Sequence, residues 1–396
     1  MRFTLRAHVS TVTDIKPLSL DVIPHLLSAD TKGCLYLWNL ITRRPIASLD
    51  LKAHVISIEV LGQDLYAVLA RDNKLRFIRL QQESQLVRIN GNACRELRSL
   101  EVVYEIPVNC LNFANFGLQD LGMCNYRLWC CNTMDAEAID VYEFQLGDDQ
   151  SFKRTFNAVK LFEPVTELSA AKHKFRFDKM GIVMRFMVAE DTVFCGFESG
   201  VVVGLRILNK TLQISYASFA HYPEPVLSLA HDTARRRVLS SSTTDRIAAH
   251  SIPTADLPIL KTVAGIQVVE NAVTTEETIP IPLKKIGHLA VLNDILLLTS
   301  WQGYVLALQD QKELLRYRRE RNLISVDDSS NGQEETKKDK PWTNAGPIAG
   351  VAYSKDVLQL IPDKLRIGEK RRLEDFLERK WYITGYNDGT ITVSQI

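Results

Sequence analysis

One recurring pattern limits this chain more than any other feature: an apolar run, a short polar turn, then an alternating strand. It is clearest over residues 26–39, LLSADTKGCLYLWN, and it returns over 381–393 at the C-terminus, WYITGYNDGTITV. Further copies occupy 65–80, 192–205, 238–251 and 295–308, with turns at Asn73-Lys74, Ser199-Gly200, Thr244-Asp245 and Gln302-Gly303. A degenerate copy around 127–144 is placed mostly by spacing. An apolar strand joined through a Gly- or Asx-containing turn to a period-2 strand is a β-hairpin signal.

A histidine and a short apolar strand precede several hairpins: His8 before Val12, His54 before Val55, His221 before Val226. Three strands plus a connecting fourth, at a period near 40–45 residues, is the WD-repeat arrangement. The 396 residues hold seven such units, which need roughly 280–315, and leave a surplus for irregular connections. The expected fold is therefore all-β: one seven-bladed WD-repeat β-propeller over 1–396. Its blades read as 8–50, 54–105, 106–178, 180–218, 221–280, 286–345 and 348–396. The two termini agree with a closed ring. The last unit ends one strand short at Ile396, while Phe3-Thr4-Leu5-Arg6 has no earlier unit to join. Strand 2–7 should complete the last blade and cover edges that would otherwise invite aggregation.

Between the repeats, 81–103, 147–179 and 253–285 read as long connections. Segment 325–340 has a single apolar residue, too little to offset chain entropy, and is expected to be a mobile loop. Residues 368–381 read as one short helical insertion, with Leu373, Phe376 and Leu377 on one face at helical spacing.

Lys plus Arg total 48 and Asp plus Glu 47, a net charge of +1, which lacks the basic excess of a protein that grips nucleic acid by its phosphates. No apolar stretch reaches the roughly 18–20 residues of a membrane span, and the N-terminus lacks the apolar core of a signal peptide. Neither a nucleic-acid nor a membrane partner is expected. The seven cysteines (Cys34, Cys94, Cys110, Cys124, Cys130, Cys131, Cys195) are irregularly spaced and suit reduced thiols inside a cell. Cys124, Cys130 and Cys131 lack a C-x-x-C partner pair, and adjacent strand residues face opposite sides, so they read as buried structural thiols and not metal ligands.

Phosphate-loop, dinucleotide, hydrolase and zinc-protease signatures do not occur, so no enzyme activity, cofactor or metal is expected. In WD repeats the histidine before a blade takes part in a structural hydrogen-bond relay with strand residues that include a tryptophan. His8, Trp38, His54, His221, Asp388 and Gly389 are read as such structural repeat residues. The relay itself is expected to be incomplete: Lys32 stands where the turn aspartate belongs in the first unit, and Ser394 replaces the tryptophan in the last. Lys172-His173-Lys174-Phe175-Arg176-Phe177 alternates basic and aromatic residues but reads as a solvated segment, as do the basic clusters 316–321 and 370–372. Arg43 and Arg44, in the turn leaving the third strand of the first unit, are the candidate partner-binding residues, because a guanidinium fork suits an acidic partner.

The string GCLYLWNLITRRP at 33–45, with 46–54, resembles the first blade of the ASTRA-associated WD-repeat proteins of fungi and their animal G-protein-β-like relatives. Segments 194–200, 221–226 with 235–242, and 385–393 match the same family in order. The resemblance implies a non-enzymatic scaffold or adaptor of a nuclear ASTRA-like assembly containing a kinase-like scaffold, its co-chaperones and AAA+ ATPases. It implies a link to chromatin regulation and to maturation of phosphatidylinositol-3-kinase-like kinases, and a nuclear location with the cytoplasm as a second site. It carries over no catalytic residue. The alternative is a propeller acting as substrate receptor of another complex, such as a ubiquitin ligase.

Overall fold

The hairpins read from the sequence assemble into seven separate sheets, six of four strands and one of six. The computed structural model describes every residue except 89–93, 111–113, 173–177, 254–256, 273–276, 321–341 and 363–364. Blade 1 is made of Val12–Leu20, Ile23–Asp30, Cys34–Asn39 and Arg44–Asp50, paired antiparallel in that order. Blades 2 to 6 repeat the plan, and their first strands, Val55–Val60, Gly117–Gly122, Val183–Ala189, Ser228–Asp232 and Ile286–Leu292, follow that of blade 1 around the axis. Blade 7 takes Ala345–Val351, Trp381–Tyr386 and Thr390–Gln395, and it is finished by the first strand of the chain.

That closure is the seven-bladed, N-terminally sealed ring expected from the sequence. Arg2–Arg6 runs antiparallel to Thr390–Gln395, with Arg2 opposite Ser394, Thr4 opposite Thr392 and Arg6 opposite Thr390. Phe3 and Leu5 are buried while Arg2, Thr4 and Arg6 are exposed, the alternation that a two-residue side-chain period imposes on a half-buried strand. Burying those two side chains stabilises the seal by about 4 kcal/mol, taken as an upper estimate.

Seven apolar clusters fill the molecule, one at each contact between neighbouring blades. At the junction of blades 7 and 1, Phe3, Leu5, Val12, Leu26, Trp38, Trp381 and Ile383 pack with Leu373, Phe376 and Leu377 of a helix. The ring is therefore tied together sheet by sheet, the way repeat architectures bury a face that one unit alone leaves open.

Three departures from the sequence reading concern the connections. Segment 81–103 is largely strand: Lys74–Arg88 and Cys94–Pro107 pair far beyond the usual blade length. Segment 147–179 contains the outer strand Asp148–Val159 and a helix α1, Phe162–Lys172. No residue of the outer strand is fully buried, so it lacks the apolar run that marked the inner strands. Segment 253–285 holds a hairpin, Ile259–Val263 with Ile266–Val269, that adds to blade 4 through parallel pairing of Gln213 with Gln267 and Ile214 with Val268. The expected helical insertion is α2, Ile367–Leu377, which buries Leu373, Phe376 and Leu377. The expected mobile segment 325–340 and residues 173–177 of the basic-aromatic stretch lie outside the described residues.

Candidate functional site

His8 lies in the turn between the closing strand and blade 1. Its Nδ1 is 2.9 Å from Asp30 Oδ2 and its Nε2 2.7 Å from Ser28 Oγ, and Trp38 Nε1–H donates to the same Oγ at 2.9 Å. Donor counting orders the chain: an indole only donates, so Ser28 gives its proton to Nε2 and Nδ1–H reaches the carboxylate. This corrects the expected incomplete relay, because the carboxylate is Asp30, at the end of its strand and two residues before Lys32. Asp30 Oδ1 also accepts the N–H groups of Lys32 and Cys34 at 2.9 and 3.0 Å. Burial opposes the charge of Asp30, but the bonds from His8, Cys34 and Lys32 outweigh it and hold its pKa below the usual carboxylate value.

The other repeat residues have different partners. His221 Nε2 is 2.8 Å from Ser240 Oγ, which is 2.6 Å from His250 Nε2, and His250 Nδ1 is 3.0 Å from the Tyr216 hydroxyl. Burial pushes His221 down to about 4 and His250, beside it, to about 3. Ser28 and Trp38 are ten residues apart, as are Ser240 and His250, a repeated spacing that went unread and would have placed the second relay. His54 uses its backbone carbonyl to accept Arg71 N–H at 2.8 Å, and burial lowers its imidazole pKa. Asp388 meets Arg319 at 3.1 Å and caps its own turn through Thr390 N–H at 3.0 Å. Gly389, with φ +78°, lies so close to the next turn that a Cβ there would stand 2.4 Å from His8 O. Only glycine serves at that contact.

The innermost strands surround a central channel of about 420 Å³, lined among others by Asp14, Lys16, Glu59, Arg185, His231 and His288. Its charges are largely answered from within. Lys16 Nζ is 3.3 Å from Glu59, Asp14 accepts Ile15 and Ile58 N–H at 2.8 and 2.7 Å, and Arg185 Nε–H donates to Leu227 O at 3.0 Å. Burial raises Asp14, and burial with the Arg185 charge lowers His288 to about 3, so that imidazole is neutral. Among the described residues, no three His, Cys, Asp or Glu side chains stand together in a way that would hold a metal ion. Cys130 and Cys131 are buried in different clusters, on opposite sides of their strand, whereas Cys124 is exposed in a turn and so departs from the expected buried thiol.

Arg43 is exposed in the third turn of blade 1, next to α2, whereas Arg44, also exposed, begins the fourth strand. Arg43 places its guanidinium 4.5 Å from the centre of the Phe3 ring. The cluster at 316–319 is spent on internal contacts instead: Arg318 lies over Trp342 at 4.6 Å, and Arg319 lies over Tyr386 at 4.8 Å and pairs with Asp388.

Seven sheets closed into a ring, with histidine–serine relays in blades 1 and 5, define a WD-repeat β-propeller. The propeller domain of Myceliophteria thermophila Cps50 (Swd1) superposes with a TM-score of 0.61 at 10% identity, covering 100% of both chains. Chaetomium thermophilum Raptor gives a TM-score of 0.58 at 10% identity over 98% of this chain and 28% of its own. At such identities the likeness is one of fold. The sequence is more specific: residues 1–394 match the family of ASTRA-associated protein 1, and the chain belongs to that family. It is 76% identical to ASTRA-associated protein 1 of Eremothecium gossypii over the full length of both. It is 37% identical to that of Lachancea thermotolerans, covering 98% of this chain and 96% of the relative, and 30% identical to that of Saccharomyces cerevisiae strain YJM789, covering 100% and 96%.

Proposed function

We propose that this propeller is a non-enzymatic adaptor subunit of an ASTRA assembly, holding a kinase-like scaffold, its co-chaperones and AAA+ ATPases together. The carrying observation is the family match across residues 1–394, on a fold that is a rigid ring with long connections at its edges. Rigid rings with variable loops suit the presentation of several binding surfaces at once. Further support comes from the channel, where Lys16, Asp14 and Arg185 are engaged by neighbours and backbone instead of being poised toward a substrate. In this reading the protein acts in the nucleus, with a cytoplasmic pool, in chromatin regulation and in maturation of phosphatidylinositol-3-kinase-like kinases.

Affinity purification of the tagged full chain, followed by mass spectrometry, tests the proposal. The kinase-like scaffold, its co-chaperones and the ATPases are the expected co-purifying proteins. Recovery of none of them, or of a cullin adaptor in their place, would overturn it. Imaging of the tagged chain checks the nuclear location.

A further inference from the structure

Helix α2 does not lie flat on the ring. Between it and the third turn of blade 1 runs a groove with two recesses that share Ile41. The larger, about 120 Å³, is lined by Ile23, Ile41, Thr42, Leu365, Glu369 and Leu373, with Asn39 at its edge. Asn39 Oδ1 accepts the N–H groups of Ile41 and Thr42 at 2.9 and 2.8 Å, which fixes the turn that forms one wall. The opposite wall is anchored by Phe376, stacked on Trp381 with ring centres 4.5 Å apart. The cavity is therefore held open by rigid elements. Its volume falls between the share of one water, about 30 Å³, and the roughly 150 Å³ cavities that take up benzene, which suits one branched aliphatic side chain.

The rim is basic. Arg43 follows Thr42 on one wall, and Arg366 follows Leu365 on the other. Arg43 and Arg372 both line the smaller recess. Arg43, Arg366 and Arg372 are all exposed, and among the described residues none meets a carboxylate. This separates them from Arg319, whose guanidinium is already paired. Two are pre-set, Arg43 on the Phe3 ring and Arg372 through Nε–H to Gly368 O at 3.1 Å. Ile367, 89% exposed, extends the apolar surface beside Arg366. Glu369 is the carboxylate at the mouth of the larger recess, and Asp375 in the smaller is tied to Arg379.

We propose that this groove binds an acidic peptide segment of a partner protein, with one leucine-like side chain in the 120 Å³ recess and carboxylates on Arg43, Arg366 and Arg372. The inference deepens the adaptor reading and rests on it. Charge complementarity selects the occupant: guanidinium forks pair carboxylates bidentately, and an apolar floor between them favours a peptide over a phosphate backbone.

Fluorescence anisotropy with the full chain tests it, using a fluorescein-labelled nonapeptide of one leucine among aspartates and glutamates. Replacing that leucine by serine is expected to weaken binding by about tenfold. The joint substitution Arg366→Glu with Arg372→Glu should weaken it by about tenfold or more, and raised salt should weaken it further. Glu369→Gln removes the repelling carboxylate and should tighten binding by about threefold, a gain that misfolding does not imitate. Equal binding of a lysine-substituted peptide or of duplex DNA would overturn the proposal. So would unaltered binding by the double variant, or no gain with Glu369→Gln. Affinity purification separates the two readings. If the wild-type chain recovers the assembly yet the peptide does not bind, the groove fails and the adaptor stands. If the peptide binds as expected but no assembly protein is recovered, the adaptor reading falls and the groove stands.

Discussion

Blades 1 and 5 carry one relay built from different residues, and they end it differently. In blade 1 Trp38 N–H donates to Ser28, Ser28 to His8 and His8 to Asp30. In blade 5 Tyr216, His250, Ser240 and His221 are linked in a row, His221 Nε2 also lies 3.2 Å from Ser240 O, and Nδ1 of His221 finds no partner among the described residues. Ser242 stands at the position matching Asp30, and its own Oγ is unpaired as well. Blade 2 has gone further, with Val68, Ala70 and Ile78 at the matching positions around His54. An indole and an imidazole take the same place, ten residues after the serine, whereas a serine does not reach as a carboxylate does. Without the carboxylate, a buried imidazole is left neutral with a bond unmet.

Acid should expose this difference most. His221 and His250 titrate near 6.5 when unfolded and are lowered to about 4 and about 3 in the fold, chiefly by burial. Below about 6.5 the unfolded chain therefore binds more protons, so their contribution is complete above that pH and is lost as pH falls toward the folded values. At pH 5 the loss is about 2 kcal/mol for each imidazole. Denaturant midpoints at pH 7 and pH 5 measure it, and His250→Phe should remove about half of the part due to blade 5. An acid sensitivity unchanged by that substitution would place the lability elsewhere, for instance at His25 or His288, which burial also lowers, to about 4 and about 3.

The next effect belongs to blade 1. Asp30→Ala leaves buried His8 and the N–H groups of Lys32 and Cys34 without their acceptor and should cost about 3 kcal/mol in chemical denaturation. Ser242→Ala, the same position in blade 5, should stay within about 0.5 kcal/mol because no bond is lost. Equal costs would mean that the two relays are not different in kind. The smallest effect is a gain: Ser242→Asp should supply the missing acceptor, stabilise the chain by about 1 kcal/mol and raise the His221 titration followed by NMR. A His221 titration that does not move would show that the new carboxylate does not reach it.

Sequence reading found the hairpins through apolar runs and turns, so it saw inner strands well and outer ones poorly. Asp148–Val159 escaped because an exposed outer strand carries no apolar run, and α1 escaped because Pro164 and few apolar residues blur its period. Of the groove, α2 and its buried face were legible from the spacing of Leu373, Phe376 and Leu377. The wall that faces α2 was not, because Arg43 and Arg366 are more than 300 residues apart in the chain. The relay carboxylate was sought in the turn, at Lys32, and proved to be at the strand end, where the side chain points back toward His8.

By itself the sequence determined the seven units and the seal between its ends. The degenerate third unit follows from spacing and the rest from local periodicity: a strand exposes alternate residues to one face, so Phe3 and Leu5 already declare a buried side and the last unit declares a missing strand. Tertiary structure alone decided which carboxylate answers His8, that hairpin 259–269 joins blade 4, and that Arg43 stands beside α2. Those choices depend on distances across packed elements, and neither residue type nor spacing encodes such distances directly.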